Sequence, residues 1–419
     1  MIGKYDITSV RARQIFDSRG KPTVECDVSC GKGFGRASVP AGASTGRHEA
    51  LALRDKGKAY HGKGVHKAVD NIHQLIAPKL IGKDVRDQDG IDKLMINLDG
   101  SANKRNLGAN AMLAVSIACC KAAASAKEAA VYEHIGQIYT HYEPTYLTPV
   151  PFFNILNGGK HSNNKLDVQE FMLAPKAKTF AEAMRIGTET YHELKKLLEK
   201  KFGVVGVGDE GGFSPPLKKT TEALDFVLKA AKSAGHSKNI VLALDVAASE
   251  FYKSKKYSID GKQLSPTKLM DYYEQLVDKY PIVSIEDPFH EDDYKSFADL
   301  TERIGEKAQI VGDDLFVTST QRLKEGIRMS AANAMILKVN QIGTLTEAFE
   351  AAGLASHSNY KTMVSHRSGD TTDNFIADLA VGIEAKQIKA GAPCRGERLA
   401  KYNQLLRIEE QGVPYAREF

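Results

Sequence analysis

Apolar and polar positions follow different rhythms in the two parts of this chain. From Ile7 to Val39 they alternate, with strand-like segments at Ile7–Arg13, Thr23–Ser29 and Arg36–Val39, the period-two pattern of half-buried strands. Helical spacing follows at Val65–Ile76, near Ile91, and through the alanine-rich Ala109–Ala126. Strands first and helices after predict an α+β unit. Between His141 and Pro151 lie Pro144, Pro149 and Pro151, which disfavour helix. The expected division is therefore an N-terminal α+β capping domain over 1–143 and a second domain over 144–419.

In that second domain five short apolar runs each stop on an ionisable residue. VLAL stops at Asp245, IVSI at Glu286, IVG at Asp313, AMIL at Lys338 and TMVS at His366. Buried parallel strands read as continuous apolar runs, and in a barrel of them the C-terminal ends converge on one mouth. Ser265-Pro266 predicts a helix start, serine as cap and proline in the first turn, running to about Lys279 before Pro281 and the IVSI strand. The opening is less regular: Phe152–Leu156 and Glu170–Ala174 read as consecutive strands with no helix between them. These elements predict an α/β barrel preceded by the α+β domain.

Three carboxylates in one pocket repel and resist ionisation unless a hard cation neutralises them. A lone aspartate after a strand is more often a turn or cap residue, but Asp245, Glu286 and Asp313 at strand ends point to a metal. All-oxygen ligands without a Cys/His cluster suit magnesium or manganese rather than zinc. Lys338, facing such cations, is expected to have a lowered pKa and to serve as a base. Glu210 sits in VGVGDEGGFSPP, where glycines allow a sharp turn that brings a carboxyl to a ligand. SHRSGD (Ser365–Asp370) combines arginine, hydroxyls and imidazole in a phosphate-suited set. PAGASTGRHEA (Pro40–Ala50) has the small residues of a flap, and NGGKHSNNKLDVQE (Asn157–Glu170) is a second polar loop. By composition alone each of these loops is an ordinary surface turn.

The composition is that of an ordinary globular protein, 42% hydrophobic and 26% charged over 419 residues. A net charge of +5, from 57 basic and 52 acidic residues without a basic block, favours a small anion over nucleic acid. The five cysteines are odd in number and unsuited to a disulfide framework, and read as reduced thiols of a cytoplasmic protein. The first twenty residues lack the apolar stretch of a signal peptide. The most apolar window, Met112–Cys120, is broken by Ser116 and closed by Lys121, and is expected to be a core helix too short to span a bilayer.

The ordered set FDSRGKPTVE, GASTG, VGDEGGF, ALDVAASEF, SIEDPF, GDDLFVT, LKVNQIGTLTE, SHRSGD, QIKAGAP and QLLRIEE resembles the enolase family along essentially the whole chain. The resemblance implies a TIM-like, irregular ββαα(βα)6 barrel, in agreement with the two consecutive strands. It implies magnesium-dependent, reversible dehydration of 2-phosphoglycerate to phosphoenolpyruvate, with two Mg2+ per active site. Carried over by motif, Asp245, Glu286 and Asp313 would bind the first magnesium, and Ser44 the second on loop closure. Lys338 would be the base and Glu210 the acid. His161, Gln169, Glu170, Ser365, His366, Arg367, Ser368 and Lys389 would surround the substrate. A lysine base beside a magnesium-stabilised intermediate is the general pattern of such sites, not a consequence of this chain's spacing. Ala41, Ala390 and Lys21 depart from residues common in the family.

The competing expectations are another superfamily dehydratase, racemase or cycloisomerase, which would not need the Arg367–Ser368 grip, and a binding role at the cell surface. YAREF at the C-terminus lacks the terminal lysine on which one such surface role would rely. The family also implies a cytoplasmic homo-oligomer, dimer or octamer, with no nucleic-acid partner and no membrane insertion.

Overall fold

The structure, a computed structural model, describes residues 3–43, 46–140 and 143–417. Strands β1 (Ile7–Phe16), β2 (Pro22–Cys30) and β3 (Phe34–Ser38) form an antiparallel meander. Val24, Cys26, Val28 and Cys30 alternate onto its buried face, where they meet the helix Ala109–Lys127. That approach is so close that a Cβ on Gly35 would lie 2.1 Å from the Ala118 carbonyl oxygen. Glycine on the hairpin and alanine on the helix are the residues that permit such contact.

The expected helix over Val65–Ile76 is interrupted. His66–Asn71 is α-helical, Ile72–Ile76 forms a wider π turn, and Ala77–Leu80 resumes the α form. Pro78 has no N–H and its ring crowds the carbonyl four residues back, which the wider turn relieves. The apolar helix also departs from expectation. At 19 residues it is long and apolar enough to cross a membrane, yet most of it is buried inside the fold. Packing on all sides, not shortness, accounts for its composition.

The barrel begins with β4 (Val150–Asn157) and β5 (Glu170–Pro175), then helices Phe180–Phe202 and Thr220–Ser233, then β6 (Ile240–Asp245). A small meander of β7 (Tyr252–Lys253), β8 (Lys256–Ile259) and β9 (Lys262–Leu264) is inserted before helix Pro266–Lys279. That helix starts as expected, with Ser265 Oγ accepting from the Lys268 N–H at 3.3 Å. Strands β10 (Ile282–Glu286), β11 (Gln309–Gly312), β12 (Ala334–Leu337), β13 (Lys361–Ser365) and β14 (Gln387–Lys389) complete the barrel, which closes β14 onto β4. Strand β5 is antiparallel to both neighbours, while all other pairs are parallel. The reason is the connection: a loop without a helix can join antiparallel strands, whereas a parallel pair needs a long crossover.

The α+β domain packs on the barrel through helix Leu345–His357, which follows the Lys338 strand. Two of that helix's unpaired N-terminal N–H groups are satisfied from the other domain. Ser116 Oγ accepts from Leu345 N–H at 3.1 Å and Asp92 Oδ2 from Thr346 N–H at 2.9 Å. Ser116 also accepts from Gln88 at 3.0 Å, so its place in an apolar run has a structural purpose. Ser116→Ala leaves a buried N–H unpaired and is expected to cost about 1–3 kcal/mol. Scanning calorimetry should show a melting temperature lower by a few degrees with turnover unchanged; an unmoved melting temperature would remove this contact from the stability account.

Candidate active site

Reversal of β5 decides what faces the barrel mouth. Its first residue, Glu170, pairs in register with both Asn157 and Asp245, the last residues of β4 and β6. Asp245 in turn pairs with Glu286, the last residue of β10. Asp313, Lys338 and His366 each follow directly after β11, β12 and β13, and Lys389 ends β14. One pocket is lined by His161, Gln169, Glu170, Glu210, Asp245, Asp313, Lys338, Ser365, His366, Arg367, Ser368 and Lys389, with Glu286 just beneath on Lys389. Of the residues anticipated from sequence, Ser44 alone lies outside the described residues.

The buried Lys389 ammonium occupies the centre. It donates to both Glu286 oxygens at 2.8 Å, and to Asp245 Oδ2 and Glu170 Oε2 at 3.2 Å. Burial works against its charge, but these carboxylates hold its pKa well above the ordinary lysine value. Burial and the neighbouring Asp245 push Glu286 well above the usual carboxylate range. Burial and Glu210 do the same to Glu170.

Asp313 is held by the Lys338 ammonium and by Gln341 Nε2 at 2.9 Å, while Thr318 Oγ1 donates to Gln341 Oε1 at 2.8 Å. Burial opposes ionisation of Asp313, but Lys338, Lys389 and Arg367 together outweigh it and keep its pKa below normal. For Lys338 burial lowers the pKa, yet Asp313 and the neighbouring Glu286 are among the groups that raise it, and the ammonium is held above its ordinary value while no cation shares the carboxylates.

Glu210 hangs beside β4, where Asn154 Nδ2 donates to its Oε2 at 2.9 Å. The glycines of its loop are required by contact: a Cβ on Gly212 would meet Asn157 Oδ1 at 2.4 Å, and Gly211 has φ +85°. His161 Nδ1 lies 3.6 Å from Glu210 and from Glu170, and His366 Nε2 lies 3.3 Å from Glu210. Burial again opposes, but the two imidazoles and Arg398 leave Glu210 ionised well below the usual range.

Arg367 is gripped on both nitrogens by Glu49, at 3.0 and 3.1 Å, with Asn340 Oδ1 at 3.1 Å. Ser368 Oγ accepts from Ala43 N–H at 2.6 Å, and Ala41 and Gly369 exchange backbone hydrogen bonds at 2.7 and 2.9 Å. Ala41 makes this link through its backbone, so a serine there is not needed for it. Lys21 likewise contributes its backbone N–H, to Asp17 at 3.0 Å.

The donor set fits a divalent cation: buried carboxylate oxygens, with the buried Gln169 Oε1 unpartnered beside them. The tightest acidic groupings around the pocket are Asp287–Asp313–Asp314 and His161–Glu170–Glu210, rather than the expected Asp245–Glu286–Asp313. In that expected set each acid turns toward a lysine, Asp245 and Glu286 to Lys389 and Asp313 to Lys338. Asp287, Glu49, Asn340, Gln341, Asn154 and Arg398 were not anticipated. Asp287 adopts φ 43° and accepts the Asp313 and Asp314 N–H groups at 2.9 and 2.8 Å, which aims Asp313. Aspartate is one of the residues that tolerate that backbone region, but the following Pro288 favours extended backbone there, so no local signal marked it.

Comparison with known sequences agrees. The profile of "Enolase, C-terminal TIM barrel domain" matches residues 145–416, and that of "Enolase, N-terminal domain" matches residues 7–135. The chain belongs to the enolase family. Enolase of Pyrococcus furiosus is 55% identical over 418 residues, covering 98% of this chain and 96% of its own. Enolase of Methanocaldococcus jannaschii is 54% identical over 412 residues, covering 97% and 96%. The irregular enolase barrel is thus the observed one, with its small sheet domain in front.

An anion that uses Arg367 in this enolase-family site must compete with Glu49. Glu49→Gln removes the competing charge, and isothermal titration with inorganic phosphate should show binding about tenfold tighter, the scale of one charge-assisted hydrogen bond. Unchanged affinity would mean that the Glu49 carboxylate does not stand in the anion's place.

Proposed function

We propose that this pocket carries out the magnesium-dependent, reversible dehydration of 2-phosphoglycerate to phosphoenolpyruvate, with Lys338 as base at carbon 2 and Glu210 as acid at the carbon 3 hydroxyl. By family the chain is a glycolytic hydro-lyase of the phosphopyruvate hydratase type. The observation that carries the role assignment is the separation of the two proton carriers. Lys338 stands on the β11–β12 side with Asp313, and Glu210 on the β4 side with Asn154, with Lys389 and its carboxylates between them.

The difficult proton lies next to an ionised carboxylate, so its removal concentrates negative charge. Magnesium held by Asp245, Glu286 and Asp313, with a second ion reached by Ser44, would neutralise that charge as it develops. Lys389 adds a fixed ammonium, already dehydrated by burial and so costing no reorganisation during the reaction. Lys338 removes the carbon 2 proton and Glu210 protonates the leaving hydroxyl. The surroundings favour a protonated Lys338 and an ionised Glu210, which would be the states from which hydration starts. Arg367 and Ser368 hold the phosphate, while Ser365, His366, Gln169 and His161 line the three-carbon chain. The reading includes a cytoplasmic homo-oligomer, dimer or octamer, which light scattering would distinguish.

Absorbance of phosphoenolpyruvate formed from 2-phosphoglycerate should vanish in EDTA and return with magnesium, and magnesium should raise the melting temperature through linkage. Activity and melting temperature unmoved by thorough chelation would sink the metal assignment. Lys338→Ala should lower turnover by about 10²–10⁴-fold and abolish carbon 2 hydrogen exchange in heavy water, while Glu210→Gln should block elimination and retain some exchange. Exchange surviving in Lys338→Ala but lost in Glu210→Gln would reverse the two roles.

A further inference from the structure

Arg398 has been given no role in the proposed reaction, yet it is fully buried and contacts two of the loops that form the pocket. It is in the first turn of helix Gly396–Glu410. Its Nη1 donates to His366 Nδ1 and to the Arg367 carbonyl, both at 2.6 Å. Its Nη2 donates to the Asp209 carbonyl at 3.0 Å and the Ser368 carbonyl at 2.6 Å. One planar fork therefore joins the loop carrying Glu210 to the loop carrying His366, Arg367 and Ser368. Space for its stem is made by Gly391 of QIKAGAP, where a Cβ would lie 2.8 Å from Arg398 Cδ.

The chemistry at His366 follows from what a guanidinium can do. Arginine has donors only and stays charged, so the imidazole nitrogen facing it must be a bare acceptor. That is Nδ1, which leaves the ring proton on Nε2. Nε2 in turn lies 3.3 Å from Glu210 Oε2, close enough to approach it though not aligned as a formed hydrogen bond. Such contacts commonly tighten only when substrate is bound. Burial reinforces the neutral ring, pushing His366 down to about 4.

We propose that Arg398 is a positioning residue for the reaction: it fixes His366 as the Nε2–H tautomer, which presents a hydrogen-bond donor to Glu210. The proposal rests on Glu210 as the acid. A donor aimed at Glu210 favours its ionised form, so the residue gives up its proton to the leaving hydroxyl more readily in one direction. In the other direction it holds the carboxylate ready to receive a proton from water. His366 with the proton on Nδ1 would instead face Glu210 with a lone pair and repel it.

The wild-type enzyme, labelled with 15N-histidine, gives the first test. Long-range 1H–15N spectra, with His366 assigned by its loss in His366→Gln, should show protonated Nε2 and bare Nδ1 with and without magnesium. Arg398→Lys keeps the charge but loses the fork, and Asp370 retains its Lys401 partner at 2.9 Å. That variant should show a mixed tautomer and kcat lower by about 10–100-fold, the usual loss for an orienting partner, with KM within about twofold. Guanidinium added to Arg398→Ala should restore part of the lost kcat. Wild-type His366 protonated on Nδ1 overturns the proposal even if no variant folds. So does Arg398→Lys with an unaltered tautomer and wild-type kcat. Failure of the acid assignment would appear separately, as undiminished turnover in Glu210→Gln; it would overturn the catalytic half and leave the tautomer intact.

Discussion

Everything at the mouth of this barrel depends on the Lys389 ammonium among three buried acids. Glu170, Asp245 and Glu286 come from three adjacent strands, and none has room to turn into solvent. Carboxylates so placed are costly in their charged form unless a cation neutralises them. Lys389 supplies that neutralisation from the opposite side of the barrel seam, and Lys338 does so for Asp313. Removing one member of such a buried pair costs about 3–5 kcal/mol because the other is left uncompensated. A divalent cation that took the carboxylates would free both lysines for the substrate, and metal binding would then be coupled to the readiness of the site.

The N-terminal α+β domain matters because it reaches into this arrangement. Glu49, on the segment after the flap, closes on Arg367, and Ala41 and Ala43 bind the loop at Ser368 and Gly369. Ser116 and Asp92 cap the helix that follows Lys338. A movement of the small domain relative to the barrel would therefore be felt at Arg367 and at the helix that follows Lys338. Arg398 makes the corresponding link from the barrel's last helix, tying the Glu210 loop to the His366–Ser368 loop.

Local pattern was enough to find five strand-end residues in order, because a buried parallel strand is one apolar run and its first polar residue marks the mouth. It also found the Ser265 cap and the irregular opening. Loop composition singled out Glu210 and the SHRSGD set, and motif resemblance added Lys389 and the role of each, which no periodicity gives. Pattern placed the apolar helix correctly in the core but for a reason that fails, since its length would allow a membrane span and burial alone separates the two. It did not foresee that Lys338 pairs with Asp313, which is 25 residues away in the chain.

Sequence by itself determined seven of the eight barrel strands in chain order, the ionisable residues at the ends of five of them, and the oxygen-rich chemistry of the pocket. These depend on contacts within one element, where period and residue type are sufficient. Only the tertiary structure decided that β5 runs backwards and so delivers Glu170 from its first residue to the ends of its neighbours. It alone joined Arg398 to His366 and Asp209, and Glu49 to Arg367. Those partners are 32, 189 and 318 residues apart, and no local period can encode a contact that exists only after the barrel has closed.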